Sequence, residues 1–310
     1  MPNSWRTEPT TWAAITVALL LWSAAFAGIR AGLGSYGPGE VALLRFGTAS
    51  VALLAYALIT RMRLPDARDL PIIFAAGFLG ITIYHVALNF GERTVTAGAA
   101  ALLISTAPVF TAMLSASVLG ERITPWGWTG IGVSFAGVAL ITLGEGSALA
   151  LEPDALLILV SAVVTSAYFI VSKRPLRRYT ALEFTTYSIW AGTLPMLVFA
   201  PGLVAQFPVA TPEATWAVVF LGIFPGAISY VLWNHALSKM PASVLSTFLY
   251  FQPVNAVWIA WLWLGEVPSA LAVVGGTISL AGVVIVNTRG VKTPGHPVAA
   301  TPVAEESATP

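Results

Sequence analysis

Long runs of apolar residues recur along the whole chain, and they leave it one kind of environment in which to fold. Of the 310 residues, 57% are hydrophobic and only 9% are charged, whereas about a quarter of the residues of a soluble domain are charged. This apolar surface exceeds what a single core can cover, so the lipid bilayer must solvate much of it. We therefore expect an all-α membrane protein, because a helix satisfies its own backbone hydrogen bonds in lipid.

Ten runs reach the roughly 20 apolar residues that a membrane helix requires. They are predicted at Trp12–Ala31, Gly39–Thr60, Leu70–Gly91, Thr96–Leu119, Trp126–Gly144, Asp154–Ser172, Glu183–Ala200, Ala214–Leu237, Ala242–Leu264 and Ser269–Thr288. The first run is too long for a cleaved signal peptide and is followed by further spans. Residues 289–310, rich in Pro, Ala and Thr, are expected to form a disordered tail.

Basic residues concentrate in alternate connections, and this bias predicts the orientation of the chain. Arg30 and Arg93 belong to the opposite set of loops, and Arg45 lies within a span. The other twelve are Arg6, Arg61, Arg63, Arg68, Arg122, Lys173, Arg174, Arg177, Arg178, Lys239, Arg289 and Lys292. Because basic connections remain in the cytoplasm, both termini are expected to be cytoplasmic.

An internal repeat divides the chain into two units. Shifting the sequence by 145 positions without gaps pairs Gly77 with Gly222, Asn89 with Asn234, Pro108 with Pro253, Leu119-Gly120-Glu121 with Leu264-Gly265-Glu266, Gly130 with Gly275, Ser134 with Ser279, and Gly137 with Gly282. Each unit would hold five helices, an odd number, so the two must lie upside down relative to each other. We expect inverted five-helix repeats at residues 12–144 and 154–288, a design that recurs in secondary transporters.

These residues resemble the drug/metabolite transporter superfamily, in its ten-helix bacterial form with two tandem copies of one domain. The resemblance rests on Pro108 and Leu119-Gly120-Glu121-Arg122 before a glycine-rich helix, their repetition as Pro253 and Leu264-Gly265-Glu266, and on Leu21-Trp22-Ser23 and Arg45-Phe46. The sequence departs from the pattern at Val267-Pro268, where a basic residue would follow Glu266.

The resemblance implies a carrier that exports small organic solutes across the cytoplasmic (inner) membrane of a bacterium, without a cofactor. Amino acids are the expected substrates, with a preference for aromatic or apolar side chains, and the repeats are expected to give alternating access. A carrier or flippase for a nucleotide-sugar or lipid-linked sugar is the alternative, because the same family includes carriers of other solutes.

Polar and aromatic residues within the spans are candidates for the wall of a substrate cavity, because polar groups that face lipid are costly. His85 and Asn89 lie four residues apart and share a helix face, as do Tyr230 and Asn234. The candidates are Trp22, Tyr84, His85, Asn89, Tyr168, Tyr230, Trp233, Tyr250, Gln252 and Asn255. The alternative for the polar members is that they tie helices together, and for the aromatic members that they pack or face lipid.

Two prolines and one arginine complete the set of unusual residues within spans. Pro108 and Pro253 each remove a backbone hydrogen bond at equivalent positions, which indicates a hinge or, alternatively, a simple packing kink. Arg45 could pair with a substrate carboxylate. We favour the alternative that it reaches outward to the membrane interface or pairs with Glu40.

Other functional classes fit the sequence less well. The chain has no cysteine, no metal-ligand or phosphate-loop motif, only three His and no Asp at a predicted bilayer midplane, so we predict neither an enzyme nor a metal site. A channel is disfavoured because no filter-like segment occurs. The net charge of +1 gives no indication of nucleic-acid binding. The small residues of the fifth and tenth helices favour packing within a monomer, with a homodimer seam as the alternative.

Overall fold

The computed structural model describes residues 8–119, 122–145, 152–240, 242–289 and 291–292. Helices account for most of them. They are α1 (Pro9–Leu33), α2 (Pro38–Thr60), α3 (Leu70–Gly77), α4 (Tyr84–Gly91), α5 (Ala97–Ile104), α6 (Ala107–Leu119), α7 (Pro125–Glu145), α8 (Pro153–Ser172), α9 (Ala181–Met196), α10 (Ala200–Gln206), α11 (Pro212–Leu221), α12 (Ser229–Lys239), α13 (Ala242–Ser246), α14 (Gln252–Leu264) and α15 (Ala270–Arg289). Two-residue strands, β1 (Arg122–Ile123) and β2 (Val291–Lys292), pair antiparallel. The remainder of the predicted tail, residues 293–310, lies outside the described residues.

Seven helical stretches in the described part of the chain are long and apolar enough to cross a membrane. They are Pro9–Leu33, Pro38–Thr60, Ala67–Gly91, Ala97–Leu114, Pro153–Arg177, Ala181–Gln206 and Pro212–Lys239. Two further apolar helices, Pro125–Ile141 and Ala270–Val286, are shorter, and a 3-10 turn at Thr247–Phe251 divides the predicted run at 242–264 into α13 and α14. The prediction of a helical chain with membrane-length apolar helices is confirmed.

Widened helical turns interrupt two of the long helices. A π-helical segment, Phe78–Ile83, joins α3 to α4, and another, Gly222–Ile228, joins α11 to α12. Such turns displace backbone carbonyls from the regular i to i−4 ladder. The carbonyl of Gly80 accepts a hydrogen bond from the Tyr230 hydroxyl at 2.9 Å, and that of Pro225 accepts one from Trp22 Nε1 at 3.0 Å. The interruptions therefore provide acceptors in the middle of the bundle.

Helices α7 and α15 cross with their backbones in contact. A Cβ atom added to Gly137 would lie 2.4 Å from the carbonyl oxygen of Gly275, and one added to Gly130 would lie 2.7 Å from that of Gly282. Gly130 meets the later residue Gly282, and Gly137 meets the earlier residue Gly275, so the two helices run antiparallel. Side chains larger than a hydrogen atom would force these backbones apart, so the small residues of both helices pack within one chain.

Ion pairs hold one end of the bundle together. The Arg30 guanidinium lies 2.8 Å from the Glu266 carboxylate and donates to the backbone carbonyl of Glu92 at 2.6 Å. Glu266 is presented by Gly265, which ends α14 in the left-handed conformation (φ 70°), a geometry that favours glycine. This explains the Leu264-Gly265-Glu266 triplet: it stops a helix and aims a carboxylate at α1. The equivalent Glu121 lies outside the described residues.

A second set of ion pairs lies at the opposite end. Arg63 pairs with Glu183 at 2.8 Å, and Arg178 pairs with Asp69 at 2.7 Å. The Tyr179 hydroxyl donates to the same Asp69 carboxylate at 2.7 Å. These contacts join the connection after α2 to the start of α9, so both ends of the bundle carry polar links between the first and second halves of the chain.

Glu92, just beyond the end of α4, is a buried acid without a partner. It is fully buried, and neither carboxyl oxygen has a hydrogen bond. Burial raises the pKa of the Glu92 carboxyl well above its usual range. Glu266 acts in the same direction, whereas Arg30 and Arg45 act against it. The folded protein therefore favours the protonated form of this side chain.

The contact between α7 and α15 predicts unequal effects of one substitution at two glycines of the same helix. Gly137→Ala should lower the thermal unfolding temperature in detergent, because the methyl group meets the backbone of α15. Gly132 has no neighbouring atom within 4 Å. Gly132→Ala should therefore leave stability unchanged or raise it by up to about 1 kcal/mol through helix propensity. Equal effects of the two variants would contradict the described packing.

The burial of Glu92 predicts a pH-dependent effect of Glu92→Gln on stability. As the pH rises above the ordinary carboxyl pKa, the unfolded chain releases this proton while the folded protein keeps it, so the wild type loses stability. The amide cannot titrate. From about pH 5 to about pH 8, the unfolding temperature of Glu92→Gln should therefore fall less than that of the wild type. The exposed Glu213→Gln is the control, and a parallel decline of all three proteins would refute the assignment.

Candidate functional site

A narrow cavity lies in the centre of the bundle. Its volume of about 30 Å³ has room for about two water molecules. Its wall is formed by residues of α1, α2, α4, α5, α8, α12 and α14 and the 3-10 turn before α14: Trp22, Ala25, Phe26, Ile29, Arg45, Tyr84, His85, Leu88, Ile104, Thr165, Tyr168, Phe169, Tyr230, Leu249 and Gln252. Both halves of the chain therefore contribute to one mostly apolar chamber with a few polar groups.

A hydrogen-bonded pair from the two halves crosses this chamber. His85 Nε2 lies 3.0 Å from the Tyr230 hydroxyl. That hydroxyl donates its single proton to the Gly80 carbonyl, so it accepts from His85. The imidazole consequently carries its proton on Nε2 and keeps a lone pair on Nδ1. His85 is further fixed by ring contacts with Phe46 at 4.4 Å and Tyr84 at 4.6 Å between centroids.

Aromatic rings form the opposite part of the wall. Trp22 meets Tyr230 edge-on, with ring centroids 5.3 Å apart, and its indole nitrogen is tied to Pro225. The Tyr168 hydroxyl donates to Asn234 Oδ1 at 3.0 Å, and Asn234 donates in turn to Thr185. Asn234 thus ties helices together, the alternative given above for the polar residues of the spans, and it also sets the position of the Tyr168 ring.

Three polar side chains of the cavity are left with unsatisfied atoms. Arg45 Nε and Nη1, His85 Nδ1 and Gln252 Oε1 are buried and have no hydrogen-bond partner. Arg45 is only 1% exposed. The expectation that it reaches outward or pairs with Glu40 is wrong, since α2 carries this side chain into the bundle, where its guanidinium carbon lies 5.2 Å from the centre of the Phe46 ring.

The structure brings six of the ten predicted site residues together in the cavity wall. These are Trp22, Tyr84, His85, Tyr168, Tyr230 and Gln252. The other four lie elsewhere. Asn89 donates to the Pro38 carbonyl at 3.0 Å, and Asn255 donates to the carbonyl of Phe251, the residue just before its own helix. Trp233 is buried behind Trp22, 4.9 Å away between ring centroids, and Tyr250 packs on a separate small apolar cluster.

Sequence reasoning underweighted Arg45 and did not single out most of the apolar wall. The signal for Arg45 was present, because a charge inside an apolar run is costly unless it serves a purpose. Residues such as Phe26, Ile29 and Ile104 carry no comparable signal, because any apolar residue of a span resembles its lipid-facing neighbours. Their selection depends on how the helices are rotated in the bundle.

The two predicted hinge prolines lie at breaks in their helices. Pro108 stands in the first turn of α6, after the break at Ser105 and Thr106 that ends α5. Pro253 stands in the first turn of α14, after the 3-10 turn. The carbonyl of Leu249, four residues before Pro253, accepts instead from the Ser105 hydroxyl at 3.5 Å. The two breaks are therefore in contact.

No group of three or more acidic or histidine side chains within the described ranges is arranged to hold a metal ion. The side chains of the cavity are instead suited to bind a small molecule. The cavity presents a cationic donor, two neutral acceptors and an apolar surface.

Comparison with known proteins places this architecture in a family. The model of the EamA-like transporter family matches the chain twice, at residues 11–143 and 153–288. The uncharacterized transporter YdfC of Bacillus subtilis is 44% identical over 263 residues, 85% of this chain and 86% of YdfC. A protein of Streptantibioticus cattleyicolor named as a probable terminal-alkyne amino-acid exporter is 41% identical over 276 residues, 89% of this chain and 93% of that protein.

A solved crystal structure supports the fold. It superposes with a TM-score of 0.64 and 22% sequence identity over 90% of this chain and 95% of the other. The helices, the duplicated family match and the relatives agree with the resemblance seen in the sequence. The chain is a multi-pass membrane protein that belongs to the EamA-like transporter family, within the drug/metabolite transporter superfamily.

Proposed function

We propose that this protein is a secondary transporter that exports small organic solutes, most specifically amino acids, by alternating access of two inverted five-helix repeats. The observation that carries the proposal is the central cavity, whose buried and unsatisfied polar groups come from both halves of the chain. The exporter relative supports the choice of substrate class. Neutral amino acids with aromatic or apolar side chains suit the apolar remainder of the wall.

Contacts between repeat-equivalent residues support the inverted arrangement. His85 and Tyr230 are hydrogen-bonded and are 145 positions apart, as are the hydrogen-bonded hydroxyls of Ser134 and Ser279. A residue can touch its own equivalent only close to the axis that relates the two halves. The antiparallel course of α7 and α15, which occupy equivalent positions, is what an inversion requires. Residues 12–144 and 154–288 are accordingly proposed as the two repeats.

The distribution of basic residues supports an orientation in the bacterial cytoplasmic membrane with both termini in the cytoplasm. In this orientation the Arg63 and Arg178 ion pairs face the cytoplasm. The Arg30, Glu92 and Glu266 cluster then lies on the exoplasmic side. A homodimer is not required by this proposal, because both halves of the cavity wall come from one chain.

The size of the cavity supports a conformational cycle. Space for about two water molecules is too small for an amino acid, so binding requires the halves to move apart. Pro108 and Pro253 are proposed as the hinges, because each stands at a break in its helix and each proline lacks the backbone N–H that would complete a helical hydrogen bond there. Opening one end would then require the ion pairs at that end to separate while those at the other end persist.

A reconstituted transport assay tests the proposed function. The purified protein in liposomes should move labelled neutral amino acids down a gradient and by exchange. Transport of a nucleotide-sugar or lipid-linked sugar, with no movement of any amino acid, would replace the proposal with the alternative function.

A pH gradient imposed on the same vesicles tests proton coupling. It should alter the amino-acid flux only if amino-acid transport is coupled to proton movement. The same flux with and without the gradient would exclude obligatory coupling.

Pro253→Ala tests the hinge. The new backbone N–H can bond to the Leu249 carbonyl, which joins the 3-10 turn and α14 into a stiffer helix. The transport rate should fall severalfold while substrate affinity changes little, because the hinge acts on the conformational step. Pro212→Ala, at the exposed start of α11 where no helical bond is lost, is the control. Equal rates for the two variants would reduce Pro253 to a packing residue.

A further inference from the structure

We propose that Arg45 anchors the carboxylate of a zwitterionic α-amino acid, and that Gln252 and His85 receive its ammonium group. The inference rests on the proposed function, because it specifies the chemical class of solute that the same cavity binds. Three kinds of observation carry it: the burial of Arg45, the state of the charges around it, and the unsatisfied acceptors in the same chamber.

Arg45 is a buried cation for which the described protein supplies no anion. Its side chain is 1% exposed, and Nε and Nη1 have no hydrogen-bond partner. A buried charge is normally paired and hydrogen-bonded, because desolvation is expensive. The ion pairs of the described residues all involve other cations. An arginine that served packing alone would be expected to have its donors satisfied.

The titratable groups around Arg45 do not replace a ligand. Tyr84, Tyr230 and Glu92 act on it electrostatically, and His85 lines the same cavity. The Tyr230 hydroxyl is used by His85 and Gly80. The Glu92 oxygens bond to nothing, so this carboxyl is not the partner of the guanidinium. The Nε and Nη1 donors of Arg45 therefore remain free to bind an incoming anion.

A carboxylate is the anion that fits these donors. The guanidinium is planar, and Nη2 forms a parallel N–H pair with Nε on one edge and with Nη1 on the other, so either edge can match two carboxylate oxygens. The rest of the cavity disfavours highly charged anions such as phosphates, since Arg45 is the one cation among its lining residues. The single positive charge of Arg45 therefore matches a ligand group with a single negative charge, such as a carboxylate.

The unsatisfied acceptors select the other end of the substrate. Gln252 Oε1 and His85 Nδ1 are buried without donors, and an ammonium group carries three donors and no acceptor. The faces of Trp22 and Tyr168 can add cation–π attraction. Donors for a carboxylate, acceptors for an ammonium group and an apolar remainder that includes Phe26 and Ile29 together describe a neutral amino acid.

Binding to the purified protein tests each end of the substrate separately. Tryptophan fluorescence or calorimetry is recorded with L-phenylalanine, L-phenylalaninamide, phenethylamine and phenylpropionate, and with the corresponding leucine series. The wild type should bind the amino acid about 10- to 100-fold more tightly than the amide or the amine, which lack the carboxylate. Arg45→Gln should abolish this preference, Arg45→Lys should keep part of it, and Arg61→Gln, at the exposed residue just beyond the end of the same helix, should keep all of it.

Gln252→Leu should instead abolish the preference for phenylalanine over phenylpropionate and retain the preference for phenylalanine over its amide.

The thermal stability of the Arg45 variants separates a binding role of this residue from a structural one. Without ligand, Arg45→Gln and Arg45→Met should unfold at a temperature equal to or above that of the wild type, because they remove an unpaired buried charge. A marked fall in unfolding temperature for both would assign Arg45 to structure and overturn the inference.

The outcomes distinguish this inference from the proposed function. If the wild type binds and transports amino acids while Arg45→Gln keeps the preference for the free carboxylate, the inference is wrong and the function stands. If the wild type binds phenylpropionate through Arg45 but neither binds nor moves any amino acid, the amino-acid function and the ammonium half of the inference fail. Absence of binding in both series, together with absence of transport, rejects both proposals.

Discussion

In lipid, the polar atoms of a protein must find their partners inside the protein, and this constraint organises the interior of the bundle. The hydroxyl of Tyr230 joins His85 to the Gly80 carbonyl, and the Trp22 indole reaches the carbonyl of Pro225. Since water cannot compensate for a missing partner there, the few unsatisfied atoms stand out. Several of them, on Arg45, His85 and Gln252, gather in one chamber, and this clustering supports the proposed binding site.

The same constraint explains why the helices are irregular near the cavity. A regular helix engages its carbonyls in the backbone ladder, and a disturbance of that ladder displaces carbonyls that can then accept from side chains of other helices. The π-helical segments 78–83 and 222–228 provide Gly80 and Pro225 at equivalent places in the two halves. Away from the cavity, α7 and α15 remain regular and use glycine for direct backbone contact. The helices with π-helical segments thus supply hydrogen-bond acceptors near the cavity, whereas α7 and α15 supply a close backbone contact away from it.

The sequence predicts the features that the lipid environment dictates, such as the apolar helices. It does not predict the features that depend on how the helices pack, such as which side chains face the cavity. The helical class followed from hydropathy, and the family followed from the resemblance carried by the repeated proline and Leu-Gly-Glu motifs. Six residues that line the cavity were among the polar and aromatic candidates chosen from the spans. Asn89 and Asn255 have the same composition signal as Gln252, yet their amides bind the carbonyls of Pro38 and Phe251. Which polar residue faces the chamber depends on helix rotation, and a single sequence does not encode that rotation in a readable way. For Arg45 the choice between snorkelling and burial required the position of its side chain.

The symmetry of the skeleton and the asymmetry of its chemistry have different consequences. Some equivalent residues of the two segments that match the family meet one another, as Ser134 and Ser279 do between α7 and α15. At the cavity the equivalents differ, because His85 faces Tyr230 and the equivalent of Gln252 is Ala107. Identical groups on both sides would suit a symmetric ligand, whereas an amino acid has a cationic, an anionic and an apolar part. In the proposed mechanism, the duplicated frame supplies the motion, and the positions at which the copies have diverged determine what is bound.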